Sequence, residues 1–181
     1  MENVTTDYYR EVIDTLSFDE IYEKFYTKVY RYVGYRIYNK SDVEDLVSQI
    51  FLKIYKNFNS YNSNSGSYSQ WIFTIAGNTI KDYHRKNSIR NILSLGALNK
   101  EPEDDFSMEE NFERLDEYKY LRKIIHNLPK REQNLISLRY GAELSYDEIA
   151  GIMKLKPNHV GVLLHRSLKK IKSNMEEYYD K

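Results

Sequence analysis

Three times in this chain a serine stands three residues before a glutamate at the head of an apolar run: Ser17 and Glu20, Ser41 and Glu44, Ser145 and Glu148. The serine hydroxyl in such a pair accepts a free backbone N–H of the first helical turn, and the carboxylate reaches back to the serine's own N–H. Each pair therefore predicts a helix start. The apolar residues beyond the first two serines recur at helical spacing. After Ser17, the residues Phe18, Ile21, Tyr22, Phe25, Val29, Val33 and Ile37 share one face. After Ser41, Val43, Leu46, Val47, Ile50, Phe51, Ile54 and Phe58 form an almost unbroken stripe. The chain is expected to be all-α.

The third pair opens the segment LSYDEIAGIMKLKPNHVGVLLHRSLKKIK, Leu144 to Lys172. Its first helix is expected to bury Ile149, Ile152 and Met153 before Lys154-Leu155-Lys156 turns the chain. Pro157 suits the first position of the next helix, where its missing N–H costs nothing. Val160, Leu164, Leu168, Ile171 and Met175 then mark an inward stripe, which sends Asn158, Val162, His165, Arg166 and Lys169 to the opposite side. Between Glu148 and Glu176 there are six Lys or Arg residues and no acid, as repeated phosphate contacts require. A helical hairpin with a solvated basic face has the same periodicity. The box, the turn spacing, the proline and the acid-free run together favour a helix-turn-helix.

Zero net charge suits a nucleic-acid binder only when it is divided along the chain. Residues 1 to 60 hold 8 basic and 10 acidic side chains, 61 to 100 hold 5 and 1, 101 to 120 hold 2 and 9, and 121 to 181 hold 12 and 7. Two basic blocks flank an acidic stretch. Glycine, proline and a charge run around it place a boundary near Ser94 to Met108. The expected organisation is two small helical domains, 1–93 and 113–181, joined by an acidic linker over 94–112. The chain has no cysteine, which removes disulfides and thiolate metal sites. No apolar run approaches the roughly 18 residues of a membrane helix, and the start lacks a signal pattern. The expectation is a cytoplasmic protein with no membrane insertion.

Two other faces carry chemistry. On the helix after Ser41, Asp45, Gln49, Leu52, Lys53 and Lys56 point outward, and Leu52 is apolar among polar neighbours. One exposed leucine needs no partner, so a protein-binding face and an ordinary surface both stay open. The segment YSQWIFTIAGNTIKDYHRKNSIR comes after a polar loop, Asn59 to Ser67. Ile72, Ile75, Ala76, Thr79, Ile80 and Tyr83 form its inward side, leaving Thr74, Gly77, Asn78, Lys81 and Arg85 as an outward stripe of amide, hydroxyl and cation. Trp71 and Tyr68 stand beside the loop, placed either to stack on unpaired bases or to anchor the core. His84, His126, His159 and His165 show no ligand-like clustering with acids, and neither a metal nor another cofactor is expected. No catalytic set is recognisable, so no enzymatic activity is expected.

The order of these parts resembles the extracytoplasmic-function sigma factors of bacterial RNA polymerase, over about Phe18 to Asn91 and Leu121 to Met175. The motifs are EDLVSQIFLKIYKNF, WIFTIAGNTIKDYHRK, and LPKREQNLISLRYGAELSYDEIAGIMKL followed by VGVLLHRSLKKIK. The resemblance implies that the first domain is sigma region 2 and the second sigma region 4. It implies contact with the clamp helices and flap of core RNA polymerase, with Asp45, Gln49, Leu52 and Lys53 on the clamp. It assigns the minus-ten promoter element to Trp71, Thr74, Asn78, Lys81, Arg85 and Lys86, with Asn78 lining a pocket for a flipped base. It assigns the minus-thirty-five element, read as duplex, to Lys156, Asn158, His159, Val162, His165, Arg166 and Lys169. An anti-sigma factor is a further implied partner.

The sequence departs from that family's pattern in two places. Ser48 and Gln49 replace a glutamine-glutamate pair, removing a charge from the presumed polymerase face. Gly161, Val162 and Leu163 stand where a basic residue, a serine and an arginine are common, so direct readout by arginine is poorer here. The runner-up reading is a free helix-turn-helix regulator binding operator DNA. It needs a dimer surface, and no sustained heptad is present.

Overall fold

The computed structural model describes residues 16–93 and 112–179. The acidic linker expected over 94–112 lies almost entirely outside the described residues, which resume at Phe112. Among the described residues there are seven α-helices and no strand: α1 (Phe18–Gly34), α2 (Lys40–Lys56), α3 (Tyr68–Leu93), α4 (Phe112–Asn127), α5 (Lys130–Ile136), α6 (Tyr146–Met153) and α7 (Pro157–Tyr179). Two short 3-10 turns, Phe58–Ser60 and Ser63–Ser65, lead from α2 to α3. A π-helical turn, Ser137–Gly141, continues α5.

Two of the three expected helix starts form as read. Ser17 Oγ accepts from Glu20 N at 3.3 Å while Glu20 accepts from Ser17 N at 2.7 Å, and Ser145 and Glu148 make the same exchange at 3.2 and 2.8 Å. The pair Ser41 and Glu44 does not. Asn39 caps α2 instead, its side-chain oxygen accepting from Asp42 N at 3.1 Å, and Ser41 already lies inside the helix. Asparagine caps at least as well as serine, and it comes two residues earlier.

α1 and α2 pack face to face through Ile21, Phe25, Val29, Val33 and Val43, Leu46, Val47, Ile50, Ile54, and α3 closes this group with Ile72, Ala76 and Ile80. Tyr83 fixes the angle between α3 and α2, its hydroxyl donating to Asp42 Oδ2 at 2.6 Å. Burial of the phenol beside that carboxylate pushes the Tyr83 pKa up to about 12. The C-terminal group is built on α4 to α7, with Leu135, Ile136, Leu138, Leu144, Ile149, Val160 and Leu164 at its centre. Gln133 joins its helices from inside. Its amide is fully buried and donates to the carbonyls of His126 and Leu128.

The two groups share one continuous apolar core. Residues that periodicity did not assign to the inside make this seam. Tyr32 is completely buried, its ring edge-on to Phe73 with centroids 5.2 Å apart. Its hydroxyl donates to Asn134 Oδ1 at 2.6 Å and accepts from Arg36 Nη1 at 2.8 Å. Arg122 reaches from α4 to the carbonyl of Gly34 at the end of α1, at 3.3 Å, and to those of Ile37 and Tyr38 just beyond it, at 3.3 and 3.5 Å. At the rim Arg31 pairs with Glu143 at 2.6 Å. The tightest approach is backbone on backbone, for a Cβ on Gly141 would stand 3.0 Å from both N and Cα of Tyr32.

Because neither backbone has room to give, Gly141→Val is expected to cost the packing of the two groups about 1–3 kcal/mol. Small-angle scattering should show a larger radius of gyration at unchanged helical circular dichroism. An unchanged radius would contradict this role for Gly141.

Candidate nucleic-acid interface

The C-terminal reading face begins with the capping box of α6. Burial raises the Glu148 pKa, but donation from Ser145 N, the Ser69 side chain and Ser145 Oγ, with Lys28 nearby, outweighs it and holds the carboxyl below its ordinary value. The acid that caps α6 is therefore also tied to α3 through Ser69. Ile149 and Ala150 are buried, whereas Ile152 and Met153 are only half-buried. The turn is made by Lys154 in the left-handed region at φ 54° and by Leu155 N donating to Ala150 O at 2.9 Å. Pro157 starts α7, and the N–H groups of His159 and Val160 return to Lys156 O.

On α7 the inward stripe is Val160, Leu164, Ser167 and Ile171. Leu168, expected inside, is 37% exposed, and Ser167 takes its place with no exposure at all. The serine is tolerated because its hydroxyl donates to Leu163 O at 3.0 Å and Glu132 Oε2 at 3.2 Å. Lys170 pairs with the other oxygen of Glu132 at 2.6 Å, pinning α7 to α5. With this orientation Lys156, Asn158, His159, Val162, His165, Arg166 and Lys169 are all exposed on one side, Val162 at 51%. Gly161 faces inward enough for a Cβ to touch the Tyr146 ring at 3.4 Å.

The second face lies on α3. Thr74, Asn78, Lys81, Arg85 and Lys86 are exposed, as the spacing requires. Gly77 is not on this open stripe. It is half-buried, and a Cβ there would meet the Tyr32 hydroxyl at 3.4 Å, so its place is the seam. Phe73, unassigned by periodicity, is fully buried against Tyr32. α3 thus has two packed sides, one on α1 and α2 and one on the C-terminal group, with the Asn78 stripe left open between them. Thr74 turns its hydroxyl to Gln70 O at 2.6 Å, and Arg85 pairs with Asp82 at 3.1 Å. Trp71 is half-buried at the loop edge, its ring 5.5 Å from Tyr61, which in turn stacks on Tyr68 at 3.9 Å. A three-ring cluster thus borders the stripe where the polar loop meets α3.

The third face is on α2. Asp45, Gln49 and Leu52 are exposed together, Leu52 at 52%. Lys53 leans the other way, donating to Thr79 Oγ1 at 3.0 Å and lying 4.0 Å from Asp82. It joins α2 to α3 as well as bordering the Leu52 face. Among the described residues no group of three or more His, Cys, Asp or Glu is arranged to hold a metal, and no helix is long and apolar enough to cross a membrane.

Two family patterns match the chain: the one described as Sigma-70 region 2 over residues 21–89, and the one described as Sigma-70, region 4 over residues 118–171. The ECF RNA polymerase sigma-E factor of Escherichia coli is 32% identical over 148 residues, 77% of this chain and 76% of that protein. The ECF RNA polymerase sigma factor BldN of Streptomyces coelicolor is 25% identical over 153 residues, 84% of this chain; the chain spans 58% of that longer relative. Among solved structures, the sigma factor RpoE of Bartonella quintana, in complex with the anti-sigma factor NepR, superposes with a TM-score of 0.69. The identity there is 16%, covering 88% of this chain and 96% of that one.

The cap of α6 sets the entry angle of the whole C-terminal face. Ser145→Ala is expected to destabilise the C-terminal group by about 1 kcal/mol, seen as a lower midpoint in thermal unfolding. A midpoint equal to that of the parent chain would mean that the cap does not hold this group together.

Proposed function

The chain belongs to the extracytoplasmic-function sigma factors of the sigma-70 superfamily, and from that premise we propose that it binds core RNA polymerase and directs it to particular promoters. Residues 1–93 act as the region 2 domain, 94–112 as the linker and 113–181 as the region 4 domain. The supporting observation is the pairing, in one chain, of two exposed DNA-type faces of different chemistry. One is the Asn78 stripe with amide, hydroxyl and cations beside an aromatic cluster. The other is the exposed basic side of a helix-turn-helix.

The roles follow from the chemistry. An unstacked base needs hydrogen bonds and a ring to lie on, since unstacking costs a few kcal/mol. Asn78 offers the first, and Trp71 with its neighbours the second. Lys81, Arg85 and Lys86 hold phosphates, and Thr74 lines the same strip. On α7, Arg166, Lys169 and Lys156 neutralise duplex phosphates while Asn158, His159, Val162 and His165 face base edges. Val162 offers an apolar contact for a thymine methyl. Asp45, Gln49 and Leu52, bordered by Lys53, form the surface for the polymerase clamp, and an apolar residue at its centre suits a protein partner. The protein works in the cytoplasm as a polymerase subunit, performs no chemistry of its own, and is held in check by an anti-sigma factor.

Purified protein added to core polymerase should give initiation from a subset of genomic fragments. Tight duplex binding without polymerase, and no initiation with it, would replace this reading with that of a free regulator. Asn78→Ala is expected to lower open-complex formation more than polymerase binding; unimpaired opening would remove the flipped-base role. Arg166→Ala is expected to weaken promoter binding and reduce the slope of log affinity against log salt by about one. An unaltered slope would take Arg166 off the phosphates.

A further inference from the structure

Nitrogen-bearing side chains gather along the seam between the two groups: Arg36 from the turn after α1, His84 from α3, Arg122 and His126 from α4, and Lys130 from the start of α5. Arg36 is 4% exposed. Burial and neighbouring basic side chains both disfavour charge on the two imidazoles. Lys130, Arg36 and His126 face His84, while Lys130 and Arg122 face His126. From its own helix His84 has the Tyr83 ring, 5.6 Å away, and Tyr38 lies edge-on to His126 at 5.8 Å. Two buried atoms of this cluster, Arg36 Nε and His84 Nε2, have no hydrogen-bond partner. Each such group costs the packed state free energy that hydration restores once the seam opens.

Opposed to this are the contacts that close the seam: Gly141 on the backbone of Tyr32, Tyr32 on Asn134, Arg31 on Glu143, and Arg122 on the carbonyls at and just beyond the end of α1. We propose that the seam is a proton-operated latch. While His84 and His126 are neutral, the C-terminal group stays docked on the N-terminal one; protonating them charges a cluster already made of cations and releases it.

Burial and the surrounding cations push the His84 pKa down to about 4 in the docked form, and His126 is lowered by the same causes. In the released form both rings return towards about 6.5. A base whose pKa is depressed in the docked form stabilises that form fully above about pH 6.5. That stability is lost as pH falls from there towards 4, by up to about tenfold in the released-to-docked ratio per pH unit and ring.

Release has a consequence that rests on the promoter-reading role above. Promoter elements named minus ten and minus thirty-five are about 25 base pairs apart, or roughly 85 Å along a duplex rising about 3.4 Å per pair. The docked body, of the size expected for a compact domain, has a radius of gyration of only about 15 Å. Both faces are exposed in it, but it is too small to reach both elements at once. The residues between Leu93 and Phe112, fully extended, span about 60 Å. Undocking is therefore what lets the two faces act together.

The chain has no cysteine, so spin labels go cleanly onto Ser48→Cys and Ser173→Cys, two exposed positions in opposite groups. Double electron–electron resonance from pH 8 to pH 5 should show one short distance giving way to a broad, longer distribution below about pH 6.5, at constant helical circular dichroism. The same chain carrying His84→Gln and His126→Gln should keep the short distance throughout. An invariant distance, an equal change in the double variant, or lengthening that tracks loss of helix would overturn the latch. Should the double variant fail to fold, ring NMR of the parent chain decides. His84 titrating well below 6.5, and near 6.5 in Gly141→Val, supports the latch; titration near 6.5 in both refutes it. A chain that opens with acid yet fails to direct polymerase keeps the latch and loses the promoter reading.

Discussion

Tyr32 is where the two halves of the molecule meet, and its surroundings decide what the rest can do. The ring is fully buried against Phe73, the hydroxyl bridges Asn134 and Arg36, and Gly141 rests on its backbone. A buried phenol must find a partner for its hydroxyl. Here the acceptor comes from α5, in the other half of the chain. The partner choice ties α1 to the C-terminal group, and the position of α1 determines where α2 and α3 lie. The open stripe on α3 is open because its neighbouring side, through Phe73 and Gly77, is already committed to this contact.

Helix starts are legible where the serine and the glutamate of a pair both close their bonds. Ser17 and Ser145 cap their helices in this way. At Ser41 a second candidate, Asn39, lies two residues upstream, and the earlier cap takes the helix start. Periodicity also divides a helix into one inside and one outside. That division serves α2, which packs on one side, and fails for α3, which packs on two. Phe73 and Gly77 face Tyr32 of α1 at the seam, a place that spacing within α3 alone does not reveal. Ser167 and Leu168 exchange places for a related reason: the acceptor that makes a buried serine tolerable, Glu132, belongs to another helix.

Of the candidate faces, the side of α7 carrying Asn158, Val162, His165 and Arg166 and the stripe of Thr74, Asn78, Lys81 and Arg85 follow from spacing alone, since each opposes a buried stripe. Their assignment to particular promoter elements comes from the resemblance and from no geometry of the chain itself. Lys53 marks the limit. Its place on α2 is outward by spacing, yet its long stem carries the ammonium sideways to Thr79 on the next helix. Single-helix reasoning places a Cβ well and a long side chain's head poorly.

Glu143 sits at φ 58°, a conformation that a residue with a side chain adopts only under strain, and its carboxylate is half-exposed on Arg31. Glycine would be the relaxed choice there, and would have no carboxylate to offer. The backbone strain and the rim tether are thus one feature, and the tether is an exposed ion pair that dissolved salt screens. Salt also screens the attraction of lysines and arginines for phosphate. Osmotic stress that concentrates ions would therefore weaken this rim tether and the grip on a nucleic acid together.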